Sequence, residues 1–218
     1  MFDIDHALSL LPRFMAGAGI TLAVSIVGFA LGMAIGGLIL YLGRSDFRPA
    51  RWFAAIYTSF VRGTPLLVQI LVIFYALPGL TGVDLPPLTA GILALAFNSA
   101  AFIAEIFRAG MTRIDPGQYE AAKALSLPRA VIVFKIILPQ LIRNVVPPLM
   151  SEFTMLVKAS AILSVVTVVE LTRTAQQIMT ETYRPVEAFT VAAAIYFFIL
   201  FAFSTLTRRL ERKYAAAR

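Results

Sequence analysis

Apolar residues fall along this chain in long uncharged runs separated by short polar segments. From Phe14 to Gly43 no residue is charged, and a helix needs only about 20 apolar residues to cross a bilayer. Four further apolar stretches follow. The pattern therefore predicts an all-α membrane protein with a single domain over residues 1–218. We place its five spans at residues 14–43, 53–77, 88–107, 141–157 and 188–207.

Glycine recurs at every fourth position of the first span, at Gly28, Gly32 and Gly36. This spacing puts the three residues on one helix face. Two interpretations are open. Small residues on one face allow a neighbouring helix to approach closely, but glycine is also generally frequent in membrane helices.

The second span contains Arg62 and, three positions later, Pro65. Proline removes a backbone donor, so we expect a bend there that neighbouring groups repair. An arginine in an apolar run is costly. Arg62 is therefore expected either at the membrane edge or in an ion pair inside the bundle.

Residues 108–139 form a charged segment between the third and fourth spans. Two short helical patterns occur in it, at residues 118–125 and 128–138, and we expect Pro139 to close the second. Charges cost several kcal/mol each in hydrocarbon, so this hairpin must lie outside the membrane. It is a candidate docking surface for a soluble partner.

A second polar helix is predicted within residues 170–187. Its amphipathic pattern suggests that it rests on the outer membrane surface. Its apolar positions are Leu171, Ala175, Ile178 and Met179.

Composition supports membrane insertion and excludes several classes of chemistry. The chain is 59% hydrophobic and 14% charged, with a mean hydropathy of +0.83, which is too apolar for a soluble domain. The absence of cysteine excludes thiolate sites and disulfides, and His6, the only histidine, cannot form a histidine metal cluster. No G-x-x-x-x-G-K-[ST] loop occurs, so the chain cannot itself bind ATP phosphates. We expect no catalytic residue, metal or cofactor in it.

Basic residues predict the orientation, because they favour the cytoplasmic side. With the N-terminus outside, five spans put the turn after Gly43, the 108–139 segment and the C-terminal tail inside. With Arg62 and Arg143 taken as edge residues on that side, all but four of the 19 Lys and Arg residues then lie inside. The exceptions are Arg13, Lys158, Arg173 and Arg184. The net charge of +7 thus reflects membrane topology, and we expect no nucleic-acid partner.

The 108–139 segment resembles the EAA loop of ABC-importer permeases. The resemblance rests on Glu120-Ala121-Ala122, the small residue Ser126, and Ile136-x-Leu138-Pro139. In that family this loop is the coupling helix, which docks on the ATP-binding subunit. The resemblance implies an ATPase-coupling site at Glu120, Ala121, Ala122, Ser126, Leu127, Ile136, Leu138 and Pro139. Serine replaces the family's usual glycine, and we expect its backbone not to be strongly left-handed.

Two further strings, FVRGTPLLVQILVIFYALP and NSAAFIAEIFRAG, resemble polar amino-acid permeases of the histidine, glutamine and arginine type. This resemblance implies the MetI-like fold of type I ABC importers, in the bacterial inner membrane. It also implies several partners: a second permease subunit, identical or related, a dimeric ATPase that binds ATP and Mg²⁺, and an extracytoplasmic solute-binding protein. The solute would be a polar amino acid or a derivative such as an opine.

Polar residues in the third and fourth spans suggest a solute site. Asn98, Phe102 and Glu105 share one helix face, which should face the bundle interior. In related permeases acidic residues at the positions of Glu152 and Ala159 help to form a substrate pocket, and only Glu152 is acidic here. The candidates are Asn98, Ser99, Phe102, Glu152, Met155, Lys158 and Ser160.

Simpler roles remain open at two of these positions. Asn98 would then only bond a neighbouring helix, and Glu152 would pair with Lys158. The alternative function for the whole chain is an ATP-independent carrier or channel subunit, and a purely structural membrane subunit is a third.

Overall fold

The computed structural model describes residues 8–215, with side chains up to Arg212. His6 lies outside the described residues. Residues 8–215 form helices and no strand, which confirms the all-α prediction. The helices are α1 Leu11–Gly43, α2 Arg48–Gly63, α3 Leu66–Leu71, α4 Leu77–Thr81, α5 Pro87–Thr112, α6 Pro116–Ala124, α7 Arg129–Val131, α8 Leu138–Ala159, α9 Leu171–Thr182 and α10 Pro185–Ala215. Two π-helical turns, Val72–Ala76 and Ile132–Ile137, and a 3₁₀ segment, Ser160–Val166, connect some of them.

The glycine face of α1 packs directly on α5. A Cβ at Gly28 would lie 3.1 Å from the Leu95 Cβ, and one at Gly36 would lie 2.9 Å from the Ala100 carbonyl oxygen. At Gly32 it would overlap the Ser99 hydroxyl. The close-approach interpretation of these glycines is therefore correct. Because glycine has no side chain, the two helix backbones can approach closely, and close packing of this kind stabilises helix pairs in membranes.

Helices α1 and α5 run in the same direction. Successive glycines of α1 meet successive residues of α5, and Nη1 of Arg44, just after α1, lies 3.1 Å from Sδ of Met111 near the end of α5. The chain between them must return across the bundle, and α2 to α4 make that return. Among the described residues, four helical stretches are long and apolar enough to span a membrane, and the bent pair 48–81 makes a fifth if its two halves are counted as one span.

The second span is broken rather than merely bent. Its two halves meet at 110°, because Thr64 and Pro65 adopt extended backbone conformations between α2 and α3. Nε2 of Gln69 donates to the carbonyl oxygens of Val61 (2.9 Å) and Thr64 (3.1 Å). The expected repair of freed backbone groups is thus present, and a buried glutamine provides it.

Pro139 does not close the second hairpin helix, contrary to the prediction. Residues 129–166 form one continuous helical span, and Pro147 and Pro148 lie inside it without interrupting it. The π turn Ile132–Ile137 ends just before Pro139, and Val72–Ala76 likewise precedes Pro78. A proline ring clashes with the carbonyl four residues earlier in an α-helix. The wider π turn offers a physical reason why both helices continue.

The apolar side of α9 is buried in the bundle rather than laid on a lipid surface. Leu171, Ala175 and Ile178 pack with Phe14 of α1 and Ala188 of α10. The prediction of a helix resting on the membrane surface was therefore wrong. An apolar helix face can pack against other helices as well as against lipid, so the sequence pattern alone does not distinguish the two.

Polar contacts fix α9 at the end of the bundle where α1 begins. Arg13 pairs with Glu181 at 2.6 Å, and this hydrogen bond lowers the pKa of the Glu181 carboxyl. Glu170, which is fully buried, accepts hydrogen bonds from the backbone N–H groups of Thr172 and Arg173 (2.9 and 2.7 Å). Tyr196 of α10 donates a further bond to it at 2.8 Å.

Candidate functional site

A cavity of about 670 Å³ lies between α5, α8 and the end of α10. Three of the predicted substrate residues, Phe102, Glu152 and Met155, line it. Its charged or amide-bearing lining residues are Arg62, Glu105, Arg113, Asn144, Glu152 and Glu211. Binding cavities for small molecules typically measure about 300–1,000 Å³, so this space suits a small polar solute.

Arg62 is held beside this cavity by α5. Its Nη1 lies 3.8 Å from Oε2 of Glu105, and its guanidinium carbon lies 5.9 Å from the centre of the Phe102 ring. Arg62 therefore forms an ion pair with α5, but its side chain is 49% exposed rather than enclosed in the bundle. Glu105 bonds more closely to Arg108, at 2.6 Å from Nη2.

Glu152 and Lys158 do not pair. Among the described residues, neither side chain forms an ion pair or a hydrogen bond, and Lys158 is not part of the cavity lining. The simpler role offered for Glu152, a partner of Lys158, is thus absent from this structure. The carboxylate remains available in a cavity wall.

The other predicted substrate residues lie away from this cavity. Nδ2 of Asn98 donates to Oε1 of Gln69 at 3.0 Å, so Asn98 bonds a neighbouring helix. Ser99 is buried against Gly32. Ser160, also buried, donates to the carbonyl of Val157 at 2.9 Å. Their substrate contacts stay a prediction.

The sequence analysis missed Arg113, Asn144 and Ser151 as cavity residues. Asn144 Nδ2 donates to the Gly110 carbonyl at 3.2 Å, where the beginning of α8 crosses the end of α5. This contact joins residues far apart in sequence, so no local pattern indicates it. Among the described residues, no cluster of three or more His, Asp or Glu side chains could hold a metal ion.

The hairpin places the predicted coupling residues on α6 and the turn after it. Asp115 caps α6, accepting from the N–H of Gly117 at 2.9 Å. Glu120 and Ala121 are exposed, and Ala122 is buried. The remaining predicted coupling residues are half-buried. They are Leu127 in the turn after α6, and Ile136, Leu138 and Pro139 around the start of α8.

Ser126 adopts a left-handed backbone with φ of 55°, so the expectation for this residue was wrong. The N–H of Ser126 bonds to the Lys123 carbonyl at 2.8 Å, and the N–H of Leu127 bonds to that of Ala122 at 3.1 Å. This pair of bonds is the Schellman motif, which requires a left-handed residue after the helix. The turn thus imposes a conformation that serine adopts only at a cost.

Two large apolar side chains on either side of this turn in the sequence are exposed. Leu125 is 74% exposed and Phe134 is 66% exposed. Tyr119 lies under the Lys123 ammonium group, 4.7 Å from the ring centre. Exposed apolar residues among charged ones are typical of a protein-binding surface. The sequence analysis named neither Leu125 nor Phe134.

The hairpin and the cavity belong to connected elements. The Gly110 carbonyl that Asn144 contacts lies at the end of α5, and the hairpin follows that end directly. A helical membrane bundle with a polar cavity and a charged hairpin at one end is typical of a membrane transport subunit.

Comparison with known proteins agrees with this class. Residues 28–216 match the family of binding-protein-dependent transport system inner membrane components. The chain is 38% identical to a putative glutamine transport system permease of Rickettsia conorii, covering 96% of this chain and 97% of the relative. It is 35% identical to the arginine transport system permease of Bacillus subtilis, with coverage of 97% and 96%.

Solved structures show the same fold. A crystal structure of an amino acid ABC transporter with histidines matches with a TM-score of 0.91 at 39% identity, over 98% of this chain and 99% of that one. The MetNI methionine ABC transporter matches in fold, with a TM-score of 0.77 at 21% identity over 94% and 98% of the two chains. The protein belongs to the family of binding-protein-dependent transport system inner membrane components, and its fold is the MetI-like fold of ABC-importer permeases.

Proposed function

We propose that this chain is the permease subunit of an ATP-driven, binding-protein-dependent importer of a polar amino acid or a close derivative. The main support is the hairpin that follows α5, whose helix α6 lies outside the candidate spans and which exposes Leu125 next to the charged residues Glu120 and Lys123. Relatives named as glutamine and arginine permeases support the amino-acid class. The chain itself holds no cofactor, and ATP and Mg²⁺ bind to the partner ATPase.

The complete importer contains two permease subunits, two ATP-binding subunits and an extracytoplasmic solute-binding protein. ATP-driven closure of the ATPase pair moves the α6 hairpins. Because the hairpin joins α5 to the continuous helical stretch 129–166 that contains α8, its movement is transmitted to both walls of the cavity. Alternating access follows when this motion opens the cavity to one side and then to the other.

We place the hairpin in the cytoplasm and the N-terminus outside. The turn after α1, the end of α5 and the end of α10 lie at the same end of the bundle as the hairpin, as the Arg44–Met111 contact and the cavity lining indicate. These segments carry most of the basic residues. A basic end favours the cytoplasmic side of a bacterial inner membrane.

Co-purification of the ATPase tests the docking step. Glu120→Lys reverses a charge on the exposed side of α6, and Leu125→Asp puts a charge into the exposed apolar surface. We expect both changes to reduce ATPase recovery and amino-acid uptake. The matched control is Asp84→Lys, an exposed acidic residue before the opposite end of α5. Full uptake by Glu120→Lys, with no ATPase recovered even with wild type, would instead support an ATP-independent carrier.

A further inference from the structure

A second cavity, which we call the basic cavity, lies between α1, α2 and α5 and measures about 370 Å³. Its charged lining residues are four arginines and one carboxylate: Arg44, Arg51, Arg62, Arg108 and Glu105. Of the two cavities, Arg44, Arg51 and Arg108 line only this one, whereas Arg62 and Glu105 lie between the two. Its volume falls within the range of about 300–1,000 Å³ that is usual for binding sites.

The positive charge of the basic cavity is only partly balanced. Four positive side chains and one negative side chain give its lining a net charge of +3. Arg108 already donates to the single carboxylate, with its Nη2 2.6 Å from Oε2 of Glu105. Among the described residues, the Arg44 guanidinium has only a thioether partner, Sδ of Met111 at 3.1 Å, which is a weak acceptor. The basic cavity therefore attracts an anion.

The basic cavity lies at the depth of lipid head groups. The uncharged run 14–43 contains 30 residues, which correspond to about 45 Å of helix. This length matches the thickness of a bilayer with its head groups, about 40–45 Å. Arg44 follows this run directly, so its guanidinium group is at the level where lipid phosphates occur.

An exposed apolar stripe of α2 borders the basic cavity. Trp52, Ile56 and Phe60 are spaced by four residues and are all exposed. The lining residues Ala55 and Ser59 lie beside them on the helix. A soluble anion would use the arginines alone, whereas a lipid has both an anionic head group and apolar chains. The combination of arginines and an apolar stripe therefore favours a lipid.

We infer that the basic cavity binds the head group of an anionic phospholipid. The guanidinium groups of Arg44 and Arg108 form charge-assisted hydrogen bonds to the phosphate oxygens, and the acyl chains lie along the apolar stripe of α2. Basic pockets between transmembrane helices on the cytoplasmic side commonly bind anionic head groups. The inference goes beyond the proposed function. It uses the proposed orientation in the membrane but depends neither on the solute nor on ATP.

Trp52 provides a reporter for this site, because it is the only tryptophan of the chain. The purified full chain is reconstituted in bilayers that contain phosphatidylglycerol and phosphatidylcholine, and the acyl chains of one of the two lipids carry bromine. Bromine quenches tryptophan fluorescence on contact. The two quenching curves give the relative affinity of the anionic and the zwitterionic lipid beside Trp52. A parallel arm adds inorganic phosphate, which distinguishes a lipid head group from a free anion.

The variants are Arg44→Gln and Arg44→Lys. Arg48→Gln is the matched control, because Arg48 is exposed one turn before Trp52 but does not line the basic cavity. One arginine near an anionic membrane surface contributes about a fivefold factor in affinity. We expect wild type to prefer phosphatidylglycerol by about fivefold or more, and Arg44→Gln to lower this preference by about fivefold. Arg44→Lys, Arg48→Gln and added phosphate should leave most of the preference in place.

Four results would overturn the inference. Equal quenching of wild type by the two brominated lipids would show that the basic cavity does not select an anionic head group, and this comparison needs no variant. Equal losses in Arg44→Gln and Arg48→Gln would show only a general attraction to a basic surface. Displacement of brominated phosphatidylglycerol by inorganic phosphate would identify a site for a free anion. Absence of quenching by either lipid would show that protein, such as a second copy of this chain, covers this face.

The outcome is independent of the proposed transport function. No step of the measurement requires the ATPase, the solute-binding protein or an amino acid. A lipid preference can therefore fail while ATP-driven uptake is retained, and the reverse result can be distinguished equally well.

Discussion

Asn98 donates a hydrogen bond to Gln69 at 3.0 Å, and Gln69 in turn donates to the carbonyl oxygens at the end of α2. The relationship connects the polar stripe of α5 with the break in the second span. It gives Asn98 a structural role, since Asn98 orients the amide that satisfies the broken helix. A residue singled out for substrate binding thus supports the shape of the bundle.

Replacing Gln69 should destabilise the protein more than replacing Asn98. Gln69→Leu leaves the buried Val61 carbonyl and the half-buried Thr64 carbonyl without this donor, at about 1–3 kcal/mol for a buried unsatisfied group. Asn98→Leu removes the orienting bond and leaves one acceptor, Oε1 of Gln69, without its donor, but the two backbone carbonyls keep their bonds to Gln69. Thermal unfolding in detergent measures both. Gln177→Leu is a control, because Gln177 makes no side-chain hydrogen bond among the described residues. Equal melting temperatures for Gln69→Leu and the control would contradict this role.

Replacement of two neighbouring glycines of α1 by alanine should change the stability of the protein in opposite directions. A Cβ at Gly36 would press on the Ala100 carbonyl and Ile103, whereas one at Gly37 meets nothing within 4 Å. Gly36→Ala should destabilise by about 1–3 kcal/mol through overpacking. Gly37→Ala should be neutral or stabilising by up to about 1 kcal/mol through helix propensity. Thermal melting of the two variants checks this. Similar losses for both would argue against close packing of α1 on α5.

How far the sequence predicts this structure depends on the range of the interaction involved. Charge-free runs predicted long membrane-spanning helices, and the glycine spacing predicted that three glycines share one face of α1, because both are local properties of a helix. The sequence predicted a bend but not a break of 110°. The angle depends on the hydrogen bonds from Gln69 to carbonyl groups on the other side of the break, and these form only in the fold. Cavity residues such as Asn144 were missed for the same reason, because α5 and α8 meet only in the fold.

Ser126 provides a test of the strained turn. Ser126→Gly should relieve a left-handed conformation that costs an L-residue about 1–2 kcal/mol, and so protect the hairpin. We expect amide hydrogen exchange over residues 116–127 to slow by about fivefold or more. Ala121→Gly introduces the same residue inside α6, where glycine costs about 1 kcal/mol, so exchange should become faster. Faster exchange in both variants would show that Ser126 is not strained.

Glu170 should make stability depend on pH. Burial raises the pKa of its carboxyl above the ordinary value of 4.5. A raised folded-state pKa contributes stability that is full below the ordinary pKa and is lost as pH rises through the folded value. Glu170→Gln cannot ionise, so wild type should lose melting temperature relative to this variant as pH increases above that ordinary value.

Glu181 should make stability depend on pH in the opposite direction, so it serves as the comparison for Glu170. The hydrogen bond from Arg13 lowers the pKa of its carboxyl, and its contribution is present above the ordinary pKa and is lost as pH falls through the folded value. Relative to Glu181→Gln, wild type should therefore lose stability only at acid pH. Parallel melting curves for wild type and Glu170→Gln across the pH range would contradict the assignment for Glu170.

ATP-dependence of uptake tests the central claim most directly. The complete complex is placed in proteoliposomes, with ATP available to the ATPase and binding protein and labelled L-glutamine or L-arginine on the opposite side. We predict uptake with ATP, none without it, and background uptake for Leu125→Asp under both conditions. Uptake of equal rate with and without ATP, unaffected by Leu125→Asp, would contradict the assignment of this chain to an ATP-driven importer.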